Sequence, residues 1–319
     1  MAVYHRPGQL ILSVETHRGA LMHRILIIDD EVSIRTMLLD FLGARYEVCA
    51  AEDADEALAL CGQKPFDMAI SDINMPGMKG PELLAEIKRL HQATRTVLIT
   101  SYNVDDYLLM AHESGVSNII PKTTPFNFHE LDALVDGLLT GDIFGISRYL
   151  LPQHTMLGSF CIRSSGEAKD VREAAVALLT EKLGSAGDMQ LLLDEIVTNA
   201  VYHAPALPDG TEKYEGLSDI TLSPREYVRL ECGSDAEKYG VAVIDNMGRL
   251  TKDTVLHKIE RQRSGEGALD DSGRGLHMSR LFSDRLIINI APKKKTEVIL
   301  INYFSHKYRG YKPLYINEL

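Results

Sequence analysis

The chain has 319 residues, of which 45% are hydrophobic, and a formal net charge of −11. This length predicts two domains of ordinary size, each with its own core. The acidic balance repels nucleic acid and argues against direct binding to it. No apolar run approaches the roughly 20 residues that a membrane-spanning helix needs, so no membrane partner is expected. Cys49, Cys61, Cys161 and Cys232 are far apart and form no CxxC pair, which excludes a zinc ribbon or a disulfide framework. They read as core residues of a reduced, cytoplasmic protein.

Residues 1–21 hold basic residues and a short apolar stretch but no signal-peptide core, and Met22 precedes a clean strand. They read as an N-terminal extension, with Met22 a natural start. The isoleucine-rich run at 24–29, bounded by acids, predicts a buried parallel strand. A helical pattern over 32–42 follows. Further strands are expected near 46–50, 67–71, 96–100 and 117–120, with helices near 54–62, 80–90, 104–114 and 127–139. This alternation over residues 22–139 predicts a doubly wound (βα)5 domain, whose chemistry sits at the carboxyl ends of its strands. Residues 140–154 form a junction with apolar members, expected to dock as a linker. Beyond it, over 155–319, strands near 158–163, 226–232, 239–245, 285–291 and 297–304 mix with helices near 167–183, 188–203, 251–260 and 275–283. That order is α+β.

Charged groups gather at the predicted strand ends of the first domain. Asp29, Asp30 and Glu31 follow the first strand, Asp72 ends the third, Thr100 ends the fourth, and Lys122 follows the fifth. Clustered carboxylates repel one another unless a cation lies among them, and hard oxygen ligands suit Mg2+. The ion would hold a phosphoryl donor against Asp72 as nucleophile. Lys122 and the Thr100 hydroxyl would then bind the acyl phosphate. On these residues, 23–140 resembles the receiver domain of response regulators. The resemblance implies Asp72 as phosphoacceptor and Asp29 and Asp30 as the acidic pair, with Asp30 the more direct Mg2+ ligand. It also implies metal binding by the Asn74 carbonyl, with Thr100 and Lys122 as the switch residues. Ile119 stands where the family has an aromatic residue and Thr123 where it has proline, which implies an altered aromatic switch.

A second constellation lies in LLLDEIVTNAVYHA. Glu195 and Asn199 are four residues apart on one helix face, and His203 continues that face. An amide oxygen can take Mg2+ and a neighbouring carboxylate can act as general base. Asp245 ends a strand in AVIDNMGRL and could accept from the exocyclic amine of an adenine. In DSGRGLHMSR, Gly273, Arg274 and Gly275 open a helix whose amino end suits phosphate. In order and spacing these motifs resemble the GHKL ATPase superfamily. Glu195 and Asn199 match its N box, Asp245 its adenine-binding aspartate, and Gly273 and Gly275 its second glycine box, with 251–272 as the lid. Met247 stands where the first box has glycine, and Gly248 is expected to serve one place later. The second domain therefore reads as a two-layer α+β ATPase fold.

No helical hairpin bearing a phosphorylatable histidine fits between 140 and 165, which disfavours a histidine-kinase hybrid. The run TNAVYHA and the short box GRGLHMSR look most like the RsbW-type anti-sigma serine kinases, over about 155–305. That resemblance implies ATP and Mg2+ as cofactors and Glu195 as base. It implies a STAS-type anti-anti-sigma protein or a sigma factor as partner, and a homodimer. The receiver implies a cognate sensor histidine kinase. The alternative is a non-catalytic switch that binds ATP and sequesters its partner.

Overall fold

Four consecutive isoleucine and leucine residues, 25–28, are too apolar to face water on either side, and they become the centre of a parallel sheet. The computed structural model describes residues 22–214, 219–264, 274–305 and 310–319. Its first half runs β1 (Arg24–Ile28), α1 (Val32–Leu42), β2 (Glu47–Ala51), α2 (Ala54–Gln63), β3 (Met68–Asp72), α3 (Gly80–Leu90) and β4 (Arg95–Thr100). A 3-10 turn (Val104–Tyr107) then leads into α4 (Leu108–Glu113), β5 (Asn118–Pro121) and α5 (Phe128–Thr140). The strands are parallel in the order β2-β1-β3-β4-β5, the doubly wound arrangement expected. The helix expected over 104–114 is split. Asn103 accepts a hydrogen bond from the Asp105 amide and starts a tighter turn, and only from Leu108 does the chain relax to an α-helix.

The junction contains a short 3-10 turn (Ile146–Tyr149) whose Ile146 and Tyr149, with Leu150, are buried. Then come β6 (Thr155–Ile162), α6 (Ser165–Leu183), α7 (Met189–Thr198), β7 (Val228–Ser234) and β8 (Lys238–Asp245). These are followed by α8 (Lys252–Ser264), α9 (Arg274–Phe282), β9 (Arg285–Ala291), β10 (Lys295–Tyr303) and β11 (Leu314–Glu318). Strands β6, β7, β8, β10 and β9 form an antiparallel run in that spatial order. Side chains alternate between faces with the strand period. Val241 and Val243 join one core with Leu192, Leu193 and Leu276 from α7 and α9, while Ala242 and Ile244 join another with Ile146, Tyr149 and Leu150. The helices thus cover one face and the junction closes the other. The second half is a mixed sheet with helices packed on it.

The main departure from the sequence reading is β11. The reading placed its last strand near 297–304 and gave each domain its own sheet. Instead β11 lies between β5, antiparallel, and β9, parallel, and joins the strands of the described residues into one 11-stranded sheet. A buried ion pair lies at this seam. Arg285 Nε on β9 donates to Glu130 Oε1 on α5 at 2.6 Å, and the Tyr303 and Tyr315 hydroxyls donate to the same carboxylate at 2.8 and 2.9 Å. Burial pulls the Arg285 guanidinium down, but Glu130 outweighs it and holds the group above its ordinary range. Nearby, Glu297 on β10 accepts from the Gly145 amide and from Asn289, and Asn289 accepts from Asn317 of β11. The junction, β9, β10 and β11 are thereby tied by paired polar groups rather than by apolar contact alone.

Candidate functional site

The receiver pocket forms where β1, β3, β4 and β5 end. Lys122, just past β5, reaches Asp29 Oδ2 and Asp72 Oδ1 at 2.8 Å each and Glu31 Oε1 at 3.0 Å. Burial lowers the Lys122 pKa, and the hydrogen bonds to Asp29, Asp72 and Glu31 more than offset this, so the ammonium is held above its ordinary range. Asp29 is fully buried; desolvation raises its pKa against the opposing pull of Lys122. The Asn74 amide donates to Asp72 Oδ2 at 2.6 Å, and the Asn74 side chain donates to the Tyr107 hydroxyl at 2.6 Å. Thr100 is buried and its hydroxyl accepts from the Tyr102 amide. The structure therefore brings Asp29, Asp72, Asn74, Thr100 and Lys122 to one end of the sheet, and leaves Asp30 exposed beside them.

Among the described residues, no three His, Cys, Asp or Glu side chains form a ready metal-ligand group. The oxygens present still fit a hard cation. Asp29 Oδ2 is buried with no hydrogen-bond donor beyond its ion pair, and Asp72 lies beside it. A backbone carbonyl and water are the usual remaining ligands of Mg2+. Gly80 fixes the wall of this pocket, because a Cβ there would stand 1.9 Å from the Asp72 carbonyl oxygen. Gly80→Ala is expected to destabilise the protein by ~1–3 kcal/mol, as overpacking does. Thermal melting against wild type checks it, and an unchanged melting temperature would show that α3 yields freely.

The second site is a cavity of about 330 Å3 whose lining includes Asn199, His203, Asp245, Lys258, Leu276 and Thr296. Its volume lies at the small end of ligand pockets, which run about 300–1,000 Å3. Helix α7 ends in a π turn (Asn199–His203), a distortion often found at functional positions. Asp245 is buried and accepts from the Met247 and Gly248 amides at 2.8 and 3.1 Å, while burial pushes its carboxyl up. Thr296 on β10 lies opposite Asp245 in this cavity, and its buried hydroxyl interacts with that carboxylate, opposing the upward pull of burial on it. His203 Nδ1 lies 3.1 Å from Glu212 Oε2.

Glu195 is half-buried and does not line the cavity; α9 packs against it. A Cβ on Gly275 would stand 2.9 Å from Glu195 Oε2 and 3.4 Å from the Asn199 amide nitrogen, so glycine is what lets the helix approach. Gly248 has positive φ (57°), and a Cβ there would meet the Ala291 carbonyl at 2.3 Å. The β9–β10 turn therefore explains that glycine without a ligand. Gly273 lies outside the described residues, as do residues 1–21 and much of the expected lid; Arg274 is the first residue of α9. The sequence reading missed Thr296, whose only signal is a hydroxyl at the start of an apolar strand.

Comparison with known proteins bears on the first site. Residues 25–136 match the family model of the response regulator receiver domain. A response regulator receiver protein from Anaeromyxobacter sp. is 29% identical over 203 residues, covering 63% of this chain and 83% of the relative. The transcriptional regulator NtrC of Salmonella typhimurium is 34% identical over 113 residues, and the match covers 35% of this chain but only 24% of that protein. A CheY-like receiver domain from Methanospirillum hungatei is 30% identical, with 38% of this chain and 96% of that one covered and a TM-score of 0.36. Residues 25–136 belong to the response regulator receiver family. Among the described residues, no helix is long and apolar enough to cross a membrane.

Proposed function

We propose that the protein is a response regulator whose receiver controls a nucleotide-binding output domain. A sensor histidine kinase would supply the phosphoryl group, and Mg2+ held by Asp29, Asp30, Asp72 and the Asn74 carbonyl would neutralise it. An Asp72 carboxylate oxygen forms the new bond to phosphorus as the donor's bond to it breaks. Lys122 is positioned to pair with the product, and the Thr100 hydroxyl to hydrogen-bond it.

The observation that supports the output reading is the cavity with buried Asp245 and the neighbouring Thr296 hydroxyl at one side and Asn199 and Lys258 among its other walls. A buried carboxylate beside a hydroxyl fits the amine and ring nitrogen of an adenine, and the cation and amide fit Mg2+-bound phosphates. An adenine nucleotide such as ATP has both. Asp245→Asn is expected to weaken ATP binding by about 1.5–3 kcal/mol, the size of a hydrogen bond to a charged group. The same change is expected to favour GTP relative to ATP, because an amide can donate to a guanine carbonyl. Calorimetry with both nucleotides reads this out, and undiminished ATP affinity in the variant would remove Asp245 from the site.

In the catalytic form of this reading, Glu195 is the base for a serine hydroxyl on a STAS-type partner, and the chain acts as a homodimeric anti-sigma kinase. The position of Glu195 outside the cavity lining favours the second reading, in which ATP is a structural ligand and the domain sequesters its partner. A transfer assay with a STAS protein separates the two. Catalysis predicts a loss of about a hundredfold or more in Glu195→Ala with ATP binding kept, whereas tight partner binding without transfer in wild type would establish sequestration.

A further inference from the structure

We propose that the Asp105–Arg280 ion pair transmits the state of the Asp72 pocket to the phosphate end of the C-terminal cavity by setting where the amino end of α9 sits. This deepens the nucleotide reading and rests on it only where ATP affinity is the readout.

The contacts run without a break. Asp72 accepts from the Asn74 amide, and the Asn74 side chain donates to the Tyr107 hydroxyl. Tyr107 ends the 3-10 turn that also carries Asp105, a few residues beyond the Thr100 hydroxyl. Arg280 of α9 donates through Nε to Asp105 Oδ1 at 2.7 Å, and its Nη2 lies 2.6 Å from the same oxygen. The rest of the guanidinium donates to the Pro313 and Lys312 carbonyls at 2.7 and 3.1 Å, immediately before β11. One arginine therefore joins the receiver turn, the approach to the bridging strand and α9. Five residues earlier on that helix, Gly275 lies directly against Glu195 and Asn199.

The energetics make this a stiff connection. Arg280 is only 4% exposed. Pulling a carboxylate away from a buried guanidinium is strongly unfavourable, because it leaves an uncompensated charge in a poorly solvating place. A phosphoryl group on Asp72 replaces one negative charge with about two and sets three acceptor oxygens beside Asn74, Thr100 and Lys122. Any rearrangement of 100–107 that follows must carry Arg280 with it or break the pair. Since Gly275 leaves no room for even a methyl group against Glu195, a small shift of α9 changes the Glu195 and Asn199 surroundings directly.

Contact alone does not establish coupling; a shared equilibrium does, and it must be reciprocal. The experiment uses the full chain with Mg2+ and beryllofluoride as aspartyl-phosphate mimic. ATP affinity is measured by calorimetry, and amide hydrogen exchange of α9 is followed with and without the mimic. In wild type, beryllofluoride is expected to change ATP affinity at least about fivefold and to alter exchange in α9. Asp105→Asn keeps size and leaves the Arg280 bonds to Lys312 and Pro313 in place. It is expected to reduce the affinity change to less than about twofold and to abolish the α9 response. Arg280→Lys, which keeps the charge but loses the fork, is expected to respond in between. A response in Asp105→Asn equal to wild type overturns the proposal, as does a wild type in which neither affinity nor α9 exchange changes. Absence of ATP binding with an intact, Asp105-dependent α9 response would sink the nucleotide reading and leave the coupling standing.

Discussion

An Asp72→Asn protein treated with acetyl phosphate and Mg2+ is expected to show no gain in intact mass, while wild type gains one phosphoryl group. An amide has no anionic oxygen to attack phosphorus, so the replacement removes the nucleophile while keeping its shape. The fold has reason to survive, since Lys122 keeps Asp29 at 2.8 Å and Glu31 at 3.0 Å. Loss of uptake in a protein with unchanged melting behaviour would therefore report chemistry and not unfolding. Persistent modification of the variant would move the phosphoacceptor elsewhere, Asp29 and Asp30 being the nearest alternatives.

The second large effect is on stability. Glu130→Ala is expected to destabilise the protein by about 3–5 kcal/mol, because it leaves the Arg285 guanidinium buried without its carboxylate. Arg285 is 2% exposed and Glu130 6%, so water cannot easily take over. Two tyrosine hydroxyls lose their acceptor as well. Replacing both charged partners with apolar residues of similar volume is expected to recover much of the loss, since the burial penalty of the ions disappears with them. Denaturant unfolding of the single and double variants checks both statements. A cost below about 1 kcal/mol for Glu130→Ala would place the pair among the surface-like ion pairs.

Much of this architecture was legible because local pattern and tertiary role agreed. The apolar run at 25–28 and the stretch Met68–Ile70 are short and bounded by polar residues, and they became inner strands of the sheet. The receiver pocket was legible for the same reason, since Asp29, Asp72, Thr100 and Lys122 fall where strands end. Where the outcome depended on distant partners, sequence pattern was weaker. Leu314–Ile316 is an apolar run after a proline, but nothing local says that it pairs with β5 and β9. Glu130 sits in the first turn of α5, where an acid is ordinary, and only the arrival of Arg285 makes it a buried charge. Gly248 read as a ligand contact, and the backbone of the β9–β10 turn provides a sufficient reason for it. The split of the 104–114 helix turned on a single Asn103 side chain.

The position of β11 also has a consequence for how the chain comes into being. Both of its neighbours, β5 and β9, emerge from the ribosome before it does. Until Leu314–Glu318 is made, each presents a row of unpaired backbone donors and acceptors on one side. Open strand edges of this kind recruit other chains, and exposed edges in incompletely assembled proteins are where aggregation begins. The strand that joins the two halves is thus also the cover for two sticky borders. A nascent chain halted before residue 314 carries both of them uncovered.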